Sequence, residues 1–159
     1  MCDKKLVRQK LKEVRANIAD RQYKDNAICK NLLKFLIHLG DCPLSVLKKT
    51  IFIYQSIGTE VSTKDIIDKL KDKHTLVYPV VDSEFNMTTT DDSLTPDIAI
   101  VPLLGFNEQM HRIGYGKACY DKYFSKHPKM IKIGLAYSEQ RCEFVQDEYD
   151  VALDYVITQ

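Results

Sequence analysis

With 159 residues, 45% of them hydrophobic and 28% charged, the chain has the composition of a single ordinary globular domain built on one core. A formal net charge of +1 excludes the broad cationic excess that nonspecific nucleic-acid binding requires and leaves room only for a local basic pocket. No run approaches the roughly 18 apolar residues of a membrane-spanning helix. The start, Met1-Cys2-Asp3-Lys4-Lys5, carries no apolar leader, so the reading is a cytoplasmic protein with neither membrane nor nucleic-acid partners.

Residues 3–22 read as a helix, with Val7, Leu11, Val14 and Ile18 at helical spacing and Lys4, Arg8, Lys12 and Arg15 off that line. A second helix is expected over 25–39, with Ile28, Leu32, Phe35, Leu36 and Leu39 as its stripe and Gly40 as its stop. The pattern then changes to the β-rich run Thr50-Ile51-Phe52-Ile53-Tyr54. After a turn through Gly58, Ser62 and Asp65 have capping-box spacing for a short helix carrying Ile66, Ile67 and Leu70. Residues 76–81 read as a second strand, with Pro79 marking a strand end.

Residues 82–96 are polar and suggest a hairpin around Phe85 and Met87. Ile98-Ala99-Ile100-Val101 reads as a third buried strand ended by Pro102, and a long loop runs on to Gly116. A helix over 117–126, a strand over 131–136 and a last strand over 155–158 complete the pass. Strands that alternate with helices imply an α/β fold, a mostly parallel central sheet flanked by helices in three layers, with ligands at the carboxyl ends of the strands.

The five cysteines, Cys2, Cys29, Cys42, Cys119 and Cys142, are odd in number, scattered and free of any C-x-x-C pair, which argues against a zinc site or a disulfide framework. None of the four histidines is spaced as a metal ligand, and none is assigned a catalytic role. Chemistry concentrates instead between Pro102 and Tyr123, where three of the six glycines fall after a buried strand and before a helix. Glycine permits positive φ and close backbone approach, and free amides at a helix start favour phosphate. Arg112 and Lys117 add charge, and Asp121 lies where a carboxylate could meet magnesium bridging phosphates. The pattern is neither a P-loop nor a Rossmann fingerprint.

The run Arg112-Ile113-Gly114-Tyr115-Gly116-Lys117-Ala118-Cys119-Tyr120-Asp121, preceded by Pro102-Leu103-Leu104-Gly105-Phe106, resembles the signature of the 5-formyltetrahydrofolate cyclo-ligase family, also called methenyltetrahydrofolate synthetases. Lys4 with Arg8, the segment Glu60-Val61-Ser62-Thr63, Tyr78-Pro79-Val80, Gln140, Asp150 and Asp154-Tyr155-Val156-Ile157-Thr158 are similar to further family motifs, so the resemblance runs along nearly the whole chain. Two positions depart from it. The family usually has glycine at the place of Ala118 and an aromatic residue at that of Cys119.

The resemblance implies a single domain over 1–159 with the NagB/RpiA/CoA transferase-like architecture, acting as a monomer. It implies an ATP- and magnesium-dependent conversion of 5-formyltetrahydrofolate, with or without a polyglutamate tail, to 5,10-methenyltetrahydrofolate, in which ATP phosphorylates the formyl oxygen and ADP and phosphate leave. By the same resemblance Lys4, Arg8 and the stretch Arg112, Ile113, Gly114, Tyr115, Gly116, Lys117, Ala118, Cys119 and Tyr120 hold ATP, with Arg112 and Lys117 catalytic. Gln55, Glu60 and residues Tyr115 to Cys119 face the folate, and Asp121 and Asp154 are the magnesium carboxylates. Two other readings stay open on sequence alone: a catalytically weakened folate or nucleotide binder, and a sugar-phosphate or CoA-type enzyme on a related fold.

Overall fold

The computed structural model describes residues 4–39 and 47–159. Gly40, the expected stop of the second helix, and Cys2 and Cys42 lie outside these residues. The order of elements is α1 (Lys4–Ala16), α2 (Arg21–Ile37), β1 (Thr50–Ile53), α3 (Lys64–Leu70), β2 (Thr75–Val77), β3 (Pro79–Val81), β4 (Met87–Thr89), β5 (Ile98–Pro102), β6 (Gly105–Phe106), β7 (Arg112–Ile113), α4 (Cys119–Lys126), β8 (Ile131–Leu135), a 3-10 turn at Ser138–Gln140 and β9 (Tyr155–Ile157).

Five strands form one sheet in the order β2-β1-β5-β8-β9, and every neighbouring pair is parallel. Alternation along the strands divides the core. Ile51, Ile53, Ile98, Ile100, Ile133 and Leu135 pack under α2 and α3 with Ile28, Leu32, Leu36, Ile66 and Leu70. Phe52, Ala99 and Val101 face the other way, against Tyr123 and Phe124 of α4 and Met87 of β4. Both faces are thus covered, which explains why the central strands read as unbroken apolar runs. Phe52 stacks on Tyr123 with ring centroids 5.3 Å apart and meets the edge of Tyr120 at 6.0 Å.

The first two helices differ from their expected bounds. The apolar stripe continues to Ile18, yet α1 ends at Ala16. Asn17 turns its side-chain amide back to the Glu13 carbonyl at 2.8 Å, and Asp20 adopts φ 51°, so two residues suited to turns end one helix and start the next at Arg21. Ile18 still packs on the core from within the turn. The expected strand over 76–81 is two strands in different sheets. β2 belongs to the parallel sheet, whereas Pro79, which cannot donate to a ladder, opens β3, which pairs antiparallel with β4. Ser62 caps nothing. Thr63 precedes α3, and its hydroxyl donates to the Tyr54 carbonyl at 2.9 Å.

Within the expected long loop, β6 and β7 form a small antiparallel hairpin. Helix α1 lies against it through Leu11, which clusters with Leu104, Ile113 and Phe144. Gly105 permits this approach. A Cβ there would stand 2.6 Å from Leu11 Cδ1 and 2.9 Å from Cys142 Sγ. This seat carries the start of α1, and with it Lys4 and Arg8, to the carboxyl side of the sheet. Among the described cysteines there is no disulfide, and no described helix is long and apolar enough to cross a membrane.

Candidate active site

A cleft of about 400 Å³, within the usual range for small-molecule sites, opens where β5 ends at Pro102. Lys4 and Arg8 of α1 form one side, the run Arg112 to Asp121 a second, and Pro79, Val81 and Met87 of the β3–β4 hairpin a third. All the residues expected to hold nucleotide therefore line one cavity, although they come from two segments far apart in the sequence.

The glycine run bends around a cation. Gly116 has φ +90°, and a Cβ placed on it would lie 3.3 Å from Arg8 Cζ. Arg8 Nε donates to the Gly114 carbonyl at 3.0 Å, so the guanidinium lies directly on the bend. The chain then enters α4 through Ala118 at φ 53°, a left-handed conformation that disfavours any side chain with a Cβ. The first turn of α4 forms part of the cleft wall, and amides in a first turn have no intrahelical acceptor, which leaves them for anionic oxygens. Replacing Ala118 by glycine should relieve about 1 kcal/mol of strain. The expected outcome for Ala118→Gly is a melting temperature raised by about 3 °C in a calorimetric scan.

Arg112 is buried. Its guanidinium donates to the Val151 carbonyl at 3.2 Å, pairs with Asp121 Oδ1 at 3.1 Å and lies over the rings of Phe124 and Tyr120, 5.1 and 5.6 Å from their centroids. Its planar fork is therefore already engaged by the protein and serves as a brace under the loop as well as a source of positive potential. Lys117 is exposed, with Nζ 4.2 Å above the ring of Phe85 at the hairpin turn. Burial drives the Tyr120 phenol well above its ordinary range, and the field of Glu60 adds to the effect.

The carboxylates are arranged differently from the sequence reading. Asp121 lines the cleft, and both of its contacts, to Arg112 and to the Val151 amide, use Oδ1. Asp154 does not line it. Of the expected magnesium pair, Asp154 instead accepts the Lys132 amide at 2.7 Å and pairs with Lys132 Nζ at 3.1 Å, at the start of β8 and away from the carboxyl ends. Asp147 and Asp150 line the cleft instead and hold Lys4 Nζ at 2.7 and 2.6 Å. Burial works against the Asp150 charge, but the hydrogen bond and charge of Lys4 outweigh it and hold the carboxyl below its ordinary value. Asp150 was visible in the sequence as a tail match, but its position gave no reason to prefer it over Asp154. Among the described residues no group of three or more His, Cys, Asp or Glu side chains could hold a metal. Magnesium keeps several waters and needs only one or two carboxylates, a demand that Asp121 and Asp150 can meet.

Gln55 is exposed and Glu60 buried, both in the loop that follows β1. Neither lines the cleft itself. Glu60 accepts the Ile57 amide at 3.0 Å, and burial raises its carboxyl above the ordinary range, against the smaller opposing effects of that bond and of Arg15. Gln140, fully buried, donates to the carbonyls of Leu103 and Leu104 at 2.9 and 3.0 Å and so fixes the chain just after β5.

A parallel α/β sheet with a cationic, glycine-bent cleft at its carboxyl ends is the plan of a small-molecule enzyme. A profile of the 5-formyltetrahydrofolate cyclo-ligase family matches residues 82–159. The chain is 36% identical over 168 aligned positions to a 5-formyltetrahydrofolate cyclo-ligase of Mycoplasma genitalium, covering 99% of this chain and 98% of the relative. It is 31% identical to the enzyme of the same name from Mycoplasma pneumoniae, with 98% of each covered. A solved 5,10-methenyltetrahydrofolate synthetase from Mycoplasma pneumoniae superposes with a TM-score of 0.84 at 30% identity, over 98% of both chains. The Aquifex aeolicus synthetase, at 21% identity and a TM-score of 0.73, shares the fold. The chain belongs to the 5-formyltetrahydrofolate cyclo-ligase family.

Proposed function

We propose that this protein, acting as one domain and as a monomer in the cytoplasm, uses magnesium-ATP to cyclise 5-formyltetrahydrofolate to 5,10-methenyltetrahydrofolate. The observation that carries the reading is the bend at Gly116 pressed against Arg8, within a cleft that also gathers Lys4, Lys117 and the start of α4. Such a site suits a chain of phosphates, and phosphoryl transfer asks a protein mainly for positioning and charge neutralisation.

In this reading the formyl oxygen attacks the γ-phosphorus and the bond to ADP breaks. N10 then attacks the activated formyl carbon, the five-membered ring closes, phosphate departs and the N10 proton is lost to solvent. Lys4, Arg8 and Lys117 bind and orient the phosphates, and the Tyr115–Cys119 stretch faces both substrates. Arg112 holds the loop and Asp121 in place. Asp121 and Asp150, rather than Asp154, would hold magnesium, which would supply charge to offset that of the phosphates. Gln55 and Glu60 act toward the folate. Glu60 accepts from the amino and ring N–H groups of the pterin, which requires the ionised carboxylate.

The growth of 5,10-methenyltetrahydrofolate absorbance on adding magnesium-ATP and 5-formyltetrahydrofolate tests the proposal. No absorbance change at saturating substrates would refute it, and tight folate binding without product would mark a noncatalytic relative.

The raised Glu60 carboxyl gives a signed prediction. The folded protein keeps this proton at pH values where the unfolded chain has lost it, so the folded state binds more protons. Stability therefore falls as pH rises from 4.5 through the raised value, then levels off. Folate affinity runs the opposite way and rises over the same interval as the carboxylate forms. Glu60→Gln should remove both slopes and weaken folate binding about tenfold at neutral pH. Melting temperature and folate titration, each measured from pH 4.5 to 7.5, check this prediction.

A further inference from the structure

We infer that Arg15 is a positioning residue that fixes two segments at once, the glycine run of the cleft wall through Tyr115 and the loop after β1, outside the cleft lining, through Thr59. The inference rests on the functional reading above and adds a residue to it.

Arg15 lies on α1 and is only 3% exposed. It sends three donors to three separate segments. Nε donates to Thr59 Oγ1 at 3.0 Å, one terminal nitrogen donates to the Leu103 carbonyl at 3.1 Å, and the other donates to the Tyr115 hydroxyl. Its guanidinium also lies 5.6 Å from the Tyr115 ring centroid. Among the described residues no carboxylate forms an ion pair with it. A buried cation whose hydrogen bonds all go to neutral acceptors, with Glu60 felt only through its field, is a poor device for stability, because no ion pair offsets its desolvation. It is a good device for geometry, since the planar fork fixes the direction of each donor.

Both recipients need such fixing. Tyr115 lines the cleft between Gly114 and Gly116 and is 51% exposed, so neither its backbone neighbours nor a packing cage holds the ring. Thr59 precedes Glu60, and its own carbonyl accepts from Arg21 at 2.8 Å. Arg21 also donates to the Arg15 carbonyl, so the two arginines tie α1, the turn and this loop together. The glycine run, expected to meet both substrates, and the loop expected to meet the folate thus share one anchor.

The test uses the whole protein with steady-state kinetics for each substrate and a thermal scan. Tyr115→Phe and Thr59→Val each remove one hydroxyl acceptor and keep the side chain's bulk. Tyr115→Phe should raise KM for both substrates about fivefold, and Thr59→Val should raise KM for 5-formyltetrahydrofolate alone about fivefold, the loss of one charge-assisted hydrogen bond each. In both, kcat should stay within about twofold and the melting temperature within about 2 °C. Arg15→Lys should raise both KM values, and adding Tyr115→Phe to it should raise KM for ATP no further, because the two act through one bond. Unchanged KM values in both single variants, with Arg15→Lys altering only the melting temperature, would overturn the inference and leave Arg15 a plain strut. A wild-type protein that forms no product would overturn the cyclo-ligase reading together with it.

Discussion

Arg112→Ala should abolish measurable cyclisation, with product formation falling at least about 100-fold, and should also lower stability. The two effects have separate causes. The substitution removes positive charge from the cleft wall, and it strips Asp121 of its cationic partner where the pair is largely shielded from water, with side chains 5% and 19% exposed. An acid left behind in such a place costs about 2–4 kcal/mol, or roughly 6–12 °C in melting temperature for a chain of this length. The Val151 carbonyl loses its donor as well, so the segment that carries Asp147 and Asp150 loosens. Arg112→Lys, which keeps the charge but not the fork, should recover most of the stability and little of the activity. His111→Ala, one residue earlier, should change turnover less than about threefold, because His111 does not line the cleft. Equal activity in the alanine variants at 111 and 112 would contradict the role given to Arg112.

The second large effect is expected from Gly116→Val. At φ +90° a β-branched side chain is strongly disfavoured, and its Cβ would meet the Arg8 guanidinium at 3.3 Å. The bend must change or Arg8 must leave its place on the Gly114 carbonyl. Either shift moves the groups proposed to bind phosphate, and displacements of about 1 Å cost about 100-fold in rate. Gly114 supplies the contrast. A Cβ there meets nothing within 4 Å, so Gly114→Ala should leave the melting temperature within about 1 °C. Calorimetry and the absorbance assay on both variants separate strain at the bend from a general intolerance of side chains in the loop.

The parts of the fold legible in the sequence are those whose burial pattern is local. Ile51 to Ile53 and Ile98 to Val101 are apolar on both faces because both faces of the sheet are covered, and an unbroken apolar run records that directly. The glycine run stood out as a candidate cleft wall for a similar reason, since glycines, cations and a following helix stand next to one another in the chain. Arg15 did not. By periodicity it falls off the apolar stripe of α1 and reads as a solvated cation, yet it is buried because acceptors from Thr59, Leu103 and Tyr115 converge on it, and none of these is near it in sequence. The carboxylates of the proposed metal site show the same limit. Asp150 and Asp154 lie four residues apart, and only the three-dimensional path of the 141–154 segment, one residue meeting Lys4 and the other Lys132, tells which of them reaches the cleft. The turn at 17–20 was hidden by its own apolar residue, Ile18, which continues the helical spacing while Asn17 and Asp20 end the helix.

The most direct measurement of the central claim is a crystal structure of the protein with ADP, magnesium and 5-formyltetrahydrofolate. The expected result is β-phosphate density against the 114–118 bend within hydrogen-bond reach of Arg8, and a hydrated metal ion at Asp121 and Asp150. Phosphates bound at another surface, or a metal ion at Asp154, would contradict it.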